Sequence, residues 1–206
     1  MFGSASPAVG QGTVVAGFSS GELNAYRYEN ARQVWSDTLQ RTSIRTSVSS
    51  LSDVDADPVI DNGQVFAVGQ GGRMVALDLL TGQRLWELNV AGIDTPWLAG
   101  DWLFVITDDA KLICIYRQNG HIRWINQLPQ FAKAKAKKGE IEYSGPVLAG
   151  NRLIFTGSNC ALIFVDPQTG SCQAPTRLPA AASLPPLVAN STLYVYDDRG
   201  QLHAYR

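Results

Sequence analysis

The strongest constraint on the fold of this 206-residue chain is a pattern that recurs five times along it. Five segments, called copies 1 to 5, align without a gap when each is counted from an anchor proline. The anchor prolines are Pro7, Pro58, Pro96, Pro146 and Pro186. Twenty-eight positions after the anchor, copies 1 to 3 carry Trp35, Trp86 and Trp124, whereas copy 4 carries Ala174. Registered copies of about 40 residues predict a repeat fold.

Short apolar runs separated by turn residues make up each copy. The second run reads TVVAGF, QVFAVG, WLFVIT, RLIFTG and TLYVYD. The third run reads ELNAYR, RMVALD, KLICIY, ALIFVD and QLHAYR. Valine, isoleucine, leucine, phenylalanine and tyrosine dominate these runs, which favours β-strands. With a first run at the anchor proline and a fourth around the tryptophan, each copy predicts a four-stranded propeller blade.

The copies therefore predict an all-β fold, a β-propeller of four-stranded antiparallel blades that forms a single partial ring over residues 1–206. The predicted blades span residues 6–40, 56–91, 94–129, 144–179 and 184–206, the last with three strands. The predicted fourth strands are Gln33–Leu39, Arg84–Val90, Ile122–Leu128 and Cys172–Leu178. Helical spacing is not sustained anywhere, and a short helix is considered only at Arg32–Val34 and Lys133–Lys138.

Two insertions follow the fourth strands of copies 1 and 3, at about residues 40–55 and 129–143. Because they occupy the same place in the repeat, both are predicted to be loops on one face, where binding residues are often found. Solvated loops without a binding role are the alternative. The basic run Lys133–Lys138 is predicted to be a solvated loop, with contact to an acidic partner or lipid head groups as the alternative.

Charge and composition argue against several kinds of partner. A net charge of −1 gives no electrostatic reason to expect nucleic acid or an acidic membrane. No apolar run approaches the roughly 18–20 residues of a membrane span. The N-terminal residues lack the pattern of a secretory signal, so the chain is either cytoplasmic or lacks the start of a longer exported protein. The three cysteines cannot form a complete disulfide set, and Cys114 is predicted to be a core residue.

One metal-like motif precedes copy 2. Asp53, Asp55 and Asp57 have the spacing of positions 1, 3 and 5 of a calcium-binding loop. Position 6 is Pro58 rather than glycine and position 12 is Gln64 rather than glutamate, so a turn leading into a strand is favoured. No metal site is predicted.

No arrangement typical of catalysis or cofactor binding is found. The two histidines, His121 and His203, lie in different copies, each on or beside a strand. Asp108–Asp109 and Asp197–Asp198 occupy the same turn of two copies, which favours repeated turn chemistry over an acid–base pair. The chain is predicted to have no catalytic residues, to bind no cofactor and not to be an enzyme.

The segment ALDLLTGQRLW, Ala76 to Trp86, resembles the repeat of PQQ-type propellers. That resemblance implies that Trp35, Trp86 and Trp124 pack against the neighbouring blade. The segments GSASPAVGQGTVVAGFSSGELNAY, LSDVDADPVI and GQVFAVGQGGRMVALDLLTGQRLW and the ending YVYDDRGQLHAYR are similar to the C-terminal half of the BamB family. Members of that family are propeller lipoproteins of the bacterial outer-membrane β-barrel assembly machinery.

This resemblance implies an eight-bladed parent, of which the chain supplies about five blades as a fragment. It implies a non-catalytic scaffold on the periplasmic face of the outer membrane, tethered by a lipid anchor that this chain lacks. The expected partners are the β-barrel-inserting subunit and unfolded outer-membrane proteins. The expected partner-binding positions are Phe2, Thr107, Asp108 and Asp109, with the acidic charge kept at shifted positions and the basic residue absent near Phe2.

Two alternatives remain open from the sequence. The first is a fragment of a quinone-dependent dehydrogenase of the propeller type, although the adjacent cysteines typical of those enzymes are absent. The second is a generic propeller interaction protein. Sequence upstream of Met1 would discriminate among these hypotheses.

Overall fold

The computed structural model describes residues 5–39 and 54–206. The described residues form two compact units. The first unit comprises the residues up to Asp101 together with Tyr116–His121, and the second comprises Trp102–Ile115 together with Ile122–Arg206. Antiparallel β-sheets dominate both units, and the predicted all-β class of propeller blades is confirmed.

Copies 1 and 2 form two four-stranded sheets in which spatial order follows chain order. The first sheet contains β1 (Ala8–Gly10), β2 (Thr13–Gly17), β3 (Glu22–Arg27) and β4 (Gln33–Thr38). The second contains β5 (Val59–Asp61), β6 (Gln64–Gly69), β7 (Arg73–Asp78) and β8 (Arg84–Leu88). Tight hairpin turns join neighbouring strands, and Asn62–Gly63 with positive φ at both residues is one of them.

Copies 3 to 5 repeat this order with three strands in the last sheet. The third sheet contains β9 (Trp97–Ala99), β10 (Trp102–Ile106), β11 (Lys111–Tyr116) and β12 (Ile122–Gln127). A two-stranded hairpin of β13 (Phe131–Lys133) and β14 (Lys138–Glu140) follows. The fourth sheet contains β15 (Tyr143–Ala149), β16 (Arg152–Gly157), β17 (Ala161–Val165) and β18 (Thr176–Arg177). The fifth contains β19 (Leu187–Ala189), β20 (Thr192–Tyr196) and β21 (Leu202–Tyr205).

The register also repeats between copies. The third and fourth strands of copies 1 to 3 shift register at the same place, after Ala25, Ala76 and Cys114. Each of these residues lies directly opposite the tryptophan of its copy. The repeated bulge therefore sets the same position for every indole on the outer strand.

Three local predictions need correction. The fourth strand of copy 4 was expected at Cys172–Leu178, but only Thr176–Arg177 and an isolated Val165–Cys172 bridge are paired. Pro175 interrupts this strand because proline lacks the N–H group that a ladder needs. Arg32–Val34 contains no helix, since β4 begins at Gln33. Lys133–Lys138 is exposed as expected, but it forms the tip of the β13–β14 hairpin around a 3-10 helix at Ala134–Ala136.

The apolar core alternates between blade faces. In the first unit, Val15, Leu23 and Ala25 of copy 1 pack with apolar residues of copy 2, among them Val65, Ala67, Val75 and Leu77. In the second unit, Ile154 and Leu162 of copy 4 pack with Leu193 and Val195 of copy 5. Residues of alternate parity along one strand thus face opposite neighbours, as the pleat requires.

The predicted role of Cys114 as a core residue is confirmed, because this side chain is fully buried. Burial raises the pKa of its thiol to about 11. All three cysteines are free, including Cys160, which was expected to be too distant from Cys172 for a disulfide. No helix among the described residues has the length and apolarity needed to cross a bilayer.

Candidate functional site

The three repeated tryptophans dock onto the turn that follows the third strand of the next copy. Their indole nitrogens donate hydrogen bonds to main-chain oxygens. Trp35 Nε1 lies 2.8 Å from Leu79 O, Trp86 Nε1 lies 2.7 Å from Arg117 O, and Trp124 Nε1 lies 3.1 Å from Pro167 O. The three acceptors occupy the same position, 21 residues after their anchor prolines. A buried indole needs such a partner for its N–H group.

A glycine in each of these turns makes room for the indole ring. A Cβ atom at Gly82 would lie 2.6 Å from Trp35 Cγ, and one at Gly170 would lie 2.7 Å from Trp124 Cε3. At Gly120 it would lie 2.9 Å from Trp86 Cδ2. These three glycines also have positive φ angles. Ring and turn therefore leave no space for a side chain at this position.

Sequence reasoning identified these glycines as turn residues but missed their role beneath the tryptophans. The signal was a co-occurrence between copies. Glycine stands 24 residues after the anchor in copies 2, 3 and 4, each of which follows a copy with tryptophan. In copy 1, the same position is Ala31.

Arg117 is a second structural group that sequence reasoning did not single out. Its side chain is 6% exposed, and its Nη1 lies 2.5 Å from Asp61 Oδ2. Its Nε donates to Gln64 Oε1 at 3.0 Å, and its guanidinium lies 5.4 Å from the centre of the Phe66 ring. Since its own carbonyl accepts the indole N–H of Trp86, this residue connects an ion pair to a docking contact.

The predicted partner-binding residues of copy 3 form an acidic turn between β10 and β11. Thr107 is buried, and its hydroxyl donates to Asp109 Oδ1 at 2.5 Å while accepting the N–H of Lys111 at 3.0 Å. Lys111 Nζ forms an ion pair with Asp109 Oδ2. Gln130 Nε2 donates to the main-chain oxygen of Asp109 at 2.8 Å. These contacts fix the conformation of the turn.

The two aspartates of the acidic turn have different electrostatic environments. Surrounding protein atoms and the adjacent charge of Asp109 raise the pKa of Asp108, although its side chain reaches solvent. Partial burial opposes ionisation of Asp109, but hydrogen bonds from Lys111 and Thr107 outweigh it and lower that pKa. Asp108 makes no hydrogen bond or ion pair within the described part of the chain. The turn therefore holds one neutralised carboxylate and presents a second one for recognition. Phe2, the other predicted contact, lies outside the described residues.

The aspartates considered for calcium are engaged by protein donors. Asp55 Oδ2 accepts a hydrogen bond from Gln70 Nε2 at 2.7 Å, and Asp57 Oδ1 accepts one from the N–H of Ser6 at 2.5 Å. Asp53 lies outside the described residues. Over residues 5–39 and 54–206, no group of three histidine, cysteine or acidic side chains is arranged to hold a metal ion.

Each histidine is engaged within its own copy. His121 is exposed, and its Nδ1 lies 3.3 Å from the Asn119 amide. His203 Nε2 lies 2.8 Å from Asp197 Oδ2. Asp197 is 1% exposed and also accepts the N–H groups of Arg199 and Gln201. The hydrogen bond from His203, followed by these main-chain bonds, lowers the pKa of Asp197.

The Asp197 environment predicts an acid-sensitive contribution to stability. Its folded-state pKa lies below the ordinary value of 3.8, so the ionised carboxylate stabilises the fold above that pH. This contribution is lost as the pH falls through the lower folded-state pKa. We expect Asp197→Asn to lower the melting temperature at pH 7, and the gap from the wild type to narrow below pH 3.8. Thermal unfolding followed by circular dichroism between pH 7 and 3 tests this, and a gap of constant size would contradict it.

Consecutive four-stranded antiparallel sheets joined by tryptophan-on-glycine contacts define the chain as a β-propeller with PQQ-like repeats. A family model described as "Outer membrane protein assembly factor BamB" matches residues 1–126. The chain belongs to this family, and the resemblance predicted from its repeats and loops is confirmed.

Individual comparisons agree with this assignment. The outer membrane protein assembly factor BamB of Moranella endobia is 22% identical over 202 residues, which cover 98% of this chain and 50% of that protein. The chain spans about half the length of the first relatives it matches. The crystal structure of BamB from Moraxella catarrhalis has a TM-score of 0.80 and 17% identity, covering 98% of this chain and 58% of the other.

The fold is shared with enzymes as well. A quinohemoprotein alcohol dehydrogenase from Pseudomonas putida superposes with a TM-score of 0.64 and 16% identity. The superposition covers 83% of this chain and 34% of the dehydrogenase. At this identity the likeness concerns the propeller fold alone.

Proposed function

We propose that the protein to which this chain belongs is a non-catalytic scaffold for outer-membrane protein assembly, acting on the periplasmic face of the outer membrane. Family membership supports this role, since the matched relatives are named outer membrane protein assembly factors. The structural observations fit a binding role. The aspartates and histidines considered for metal binding or catalysis are bonded within turns rather than gathered around a cavity.

The acidic turn carries the finer part of the proposal. It binds a basic surface of the β-barrel-inserting subunit through Asp108, while Thr107, Asp109, Lys111 and Gln130 hold the turn in one conformation. A preorganised charge loses little conformational entropy on binding, because the turn is already ordered. Complementary charges across such a contact raise the association rate and select the partner. Binding of unfolded outer-membrane proteins is the second activity that we assign to the complete protein.

Charge reversal of the acidic turn tests the partner contact. We expect Asp108→Lys together with Asp109→Lys, placed in the full-length protein, to weaken binding to the β-barrel-inserting subunit by about tenfold or more. The physical reason is loss of the attraction and its replacement by repulsion between like charges. Binding is measured by pull-down and by biolayer interferometry at two salt concentrations.

Two further variants separate recognition from folding. Asp108→Lys alone leaves the Thr107–Asp109–Lys111 contacts in place, and we expect it to retain most of the effect. Glu22→Lys with Glu29→Lys makes the same change in net charge at two exposed positions of copy 1, and we expect it to leave binding unchanged. Unchanged binding of the Asp108→Lys and double aspartate variants would overturn the assignment of this turn.

A further inference from the structure

The outer edge of the fifth sheet differs from the same edge in the other four sheets. β21 is the last strand in the order β19-β20-β21, and no strand of the described residues pairs with its outer side. Its Leu202 side chain is 65% exposed. The residues at the same repeat position in the other copies, Leu23, Met74, Leu112 and Leu162, are 0–1% exposed. An edge with free main-chain groups and an exposed apolar side chain is a surface on which a strand can be added.

The repeat indicates which residue such a strand would carry. Three copies place a small residue on the third strand directly opposite the tryptophan of the fourth, in the following pairs. These pairs are Ala25 with Trp35, Ala76 with Trp86, and Cys114 with Trp124. In copy 4 the sizes are reversed, since Phe164 holds the small position and Ala174 holds the tryptophan position. Residue size is therefore matched across the two outer strands, as expected of cross-strand pairs.

Copy 5 has the small residue and lacks the partner. Ala204 occupies the position of Ala25 and Ala76, 18 residues after its anchor proline. Ala204 pairs with Tyr194 on β20, and Tyr194 pairs with Leu187 on β19, so these residues share one face of the sheet. On that face Leu187 is 65% exposed and Tyr196 is 48% exposed. The space opposite Ala204 is thus bordered by apolar surface that an indole would cover.

We propose that β21 binds, in trans, an extended segment of another polypeptide chain and that a tryptophan of this segment lies opposite Ala204. The segment completes the sheet as an antiparallel fourth strand. Its main-chain groups pair with the free edge, and its tryptophan fills the space that phenylalanine fills in copy 4. The pattern of the bound strand is given by β4, β8 and β12, which read QVWSDT, RLWEL and IRWINQ with tryptophan at the third position. This inference does not depend on the proposed role of the acidic turn.

A peptide that copies one of these strands tests the inference. The probe is a fluorescein-labelled peptide GQRLWELNV, the sequence of residues 82–90, and the control peptide has alanine in place of its tryptophan. Fluorescence anisotropy measures binding of both to the 206-residue chain. We expect saturable binding of the tryptophan peptide and at least tenfold weaker binding of the alanine peptide. Equal binding of the two peptides, or none of either, would overturn the proposal.

A protein variant and a modified peptide locate the site. Ala204→Phe reproduces the large residue of copy 4, and we expect it to reduce affinity for the tryptophan peptide at least tenfold with an unchanged melting temperature. A tryptophan peptide with N-methylated amides on one edge needs no protein variant, and we expect it not to bind because it cannot form the ladder. Retained affinity in either test would contradict edge pairing. Self-association of the peptide-free chain that Ala204→Phe abolishes would assign this edge to a second copy and overturn binding of a different chain.

Discussion

Replacing Trp86 with alanine is expected to lower the free energy of unfolding by about 3–5 kcal/mol, the range for removing a large buried aromatic side chain. The indole is 8% exposed and packs at a centroid distance of 6.0 Å from the Phe66 ring. Truncation leaves a cavity and also removes the donor to Arg117 O. An unpaired buried carbonyl adds its own cost of about 1–3 kcal/mol where water cannot enter the cavity.

The position of Arg117 makes this substitution more disruptive than loss of apolar area alone. Its carbonyl holds the Trp86 indole, while its guanidinium bonds Asp61 and Gln64. Loss of the indole therefore loosens the turn that carries a buried cation. Trp86→Phe separates the two effects, because it retains much of the packing and removes only the hydrogen bond. We expect Trp86→Phe to cost less than half as much as Trp86→Ala.

Urea unfolding monitored by circular dichroism measures these differences through the midpoint, provided that the slope is unchanged. The control is Trp97→Ala on β9, where the side chain is 36% exposed and truncation leaves less of a cavity. We expect this control to cost at most about half of the Trp86→Ala value. Equal losses at Trp86 and Trp97 would show that docking of the indole onto the next copy makes no special contribution.

Features that depend on chain-local patterns were predictable from the sequence. Alternating apolar residues and glycine turns indicate strands, and a constant 28-residue spacing identifies the outer-strand tryptophans without knowledge of their contacts. The acidic turn at Asp108–Asp109 was also accessible, because its equivalent in copy 5 shows the same residues. These are properties of one copy read in isolation and then repeated.

Features that depend on the meeting of two copies were not predictable in the same way. The buried environment of Arg117 arises because Asp61 and Gln64, more than fifty residues earlier, surround its guanidinium. The hairpin at residues 131–140 interrupts the repeat, so no other copy shows its pattern. The shortening of β18 follows from a single proline, which the strong apolar pattern of the preceding strand obscured. Local periodicity carries no information on such contacts.

A methyl group at Gly82 is expected to be among the most destabilising small changes in the chain, with a cost of about 2–4 kcal/mol. Part of this cost comes from backbone strain, because φ at Gly82 is +71° and an L-residue in that region costs about 1–2 kcal/mol. The remainder comes from overpacking, since the new Cβ would lie 2.6 Å from Trp35 Cγ and 2.8 Å from Trp35 Cβ. Neither Trp35 atom lies at the end of a flexible side chain, so relief requires movement of β4 itself.

Gly63 offers a matched control for the backbone term. Its φ is +75°, nearly that of Gly82, yet only Gln11 Oε1 at 3.9 Å would lie near an added Cβ. Gly63→Ala therefore carries the strain without the collision, and we expect it to cost about 1–2 kcal/mol. The difference between the two glycine variants, measured by urea unfolding, isolates the contact between the Trp35 ring and the turn of copy 2.

A double-mutant cycle completes the argument. In a Trp35→Ala background the ring is absent, so Gly82→Ala is expected to cost no more than Gly63→Ala does in the wild type. The coupling energy between Trp35 and Gly82 should therefore be about 1–3 kcal/mol and opposite in sign to the single-variant losses. A coupling energy of zero would mean that Gly82 is required only for its φ angle. A non-zero value would identify the paired tryptophan and glycine as the element that joins one copy to the next.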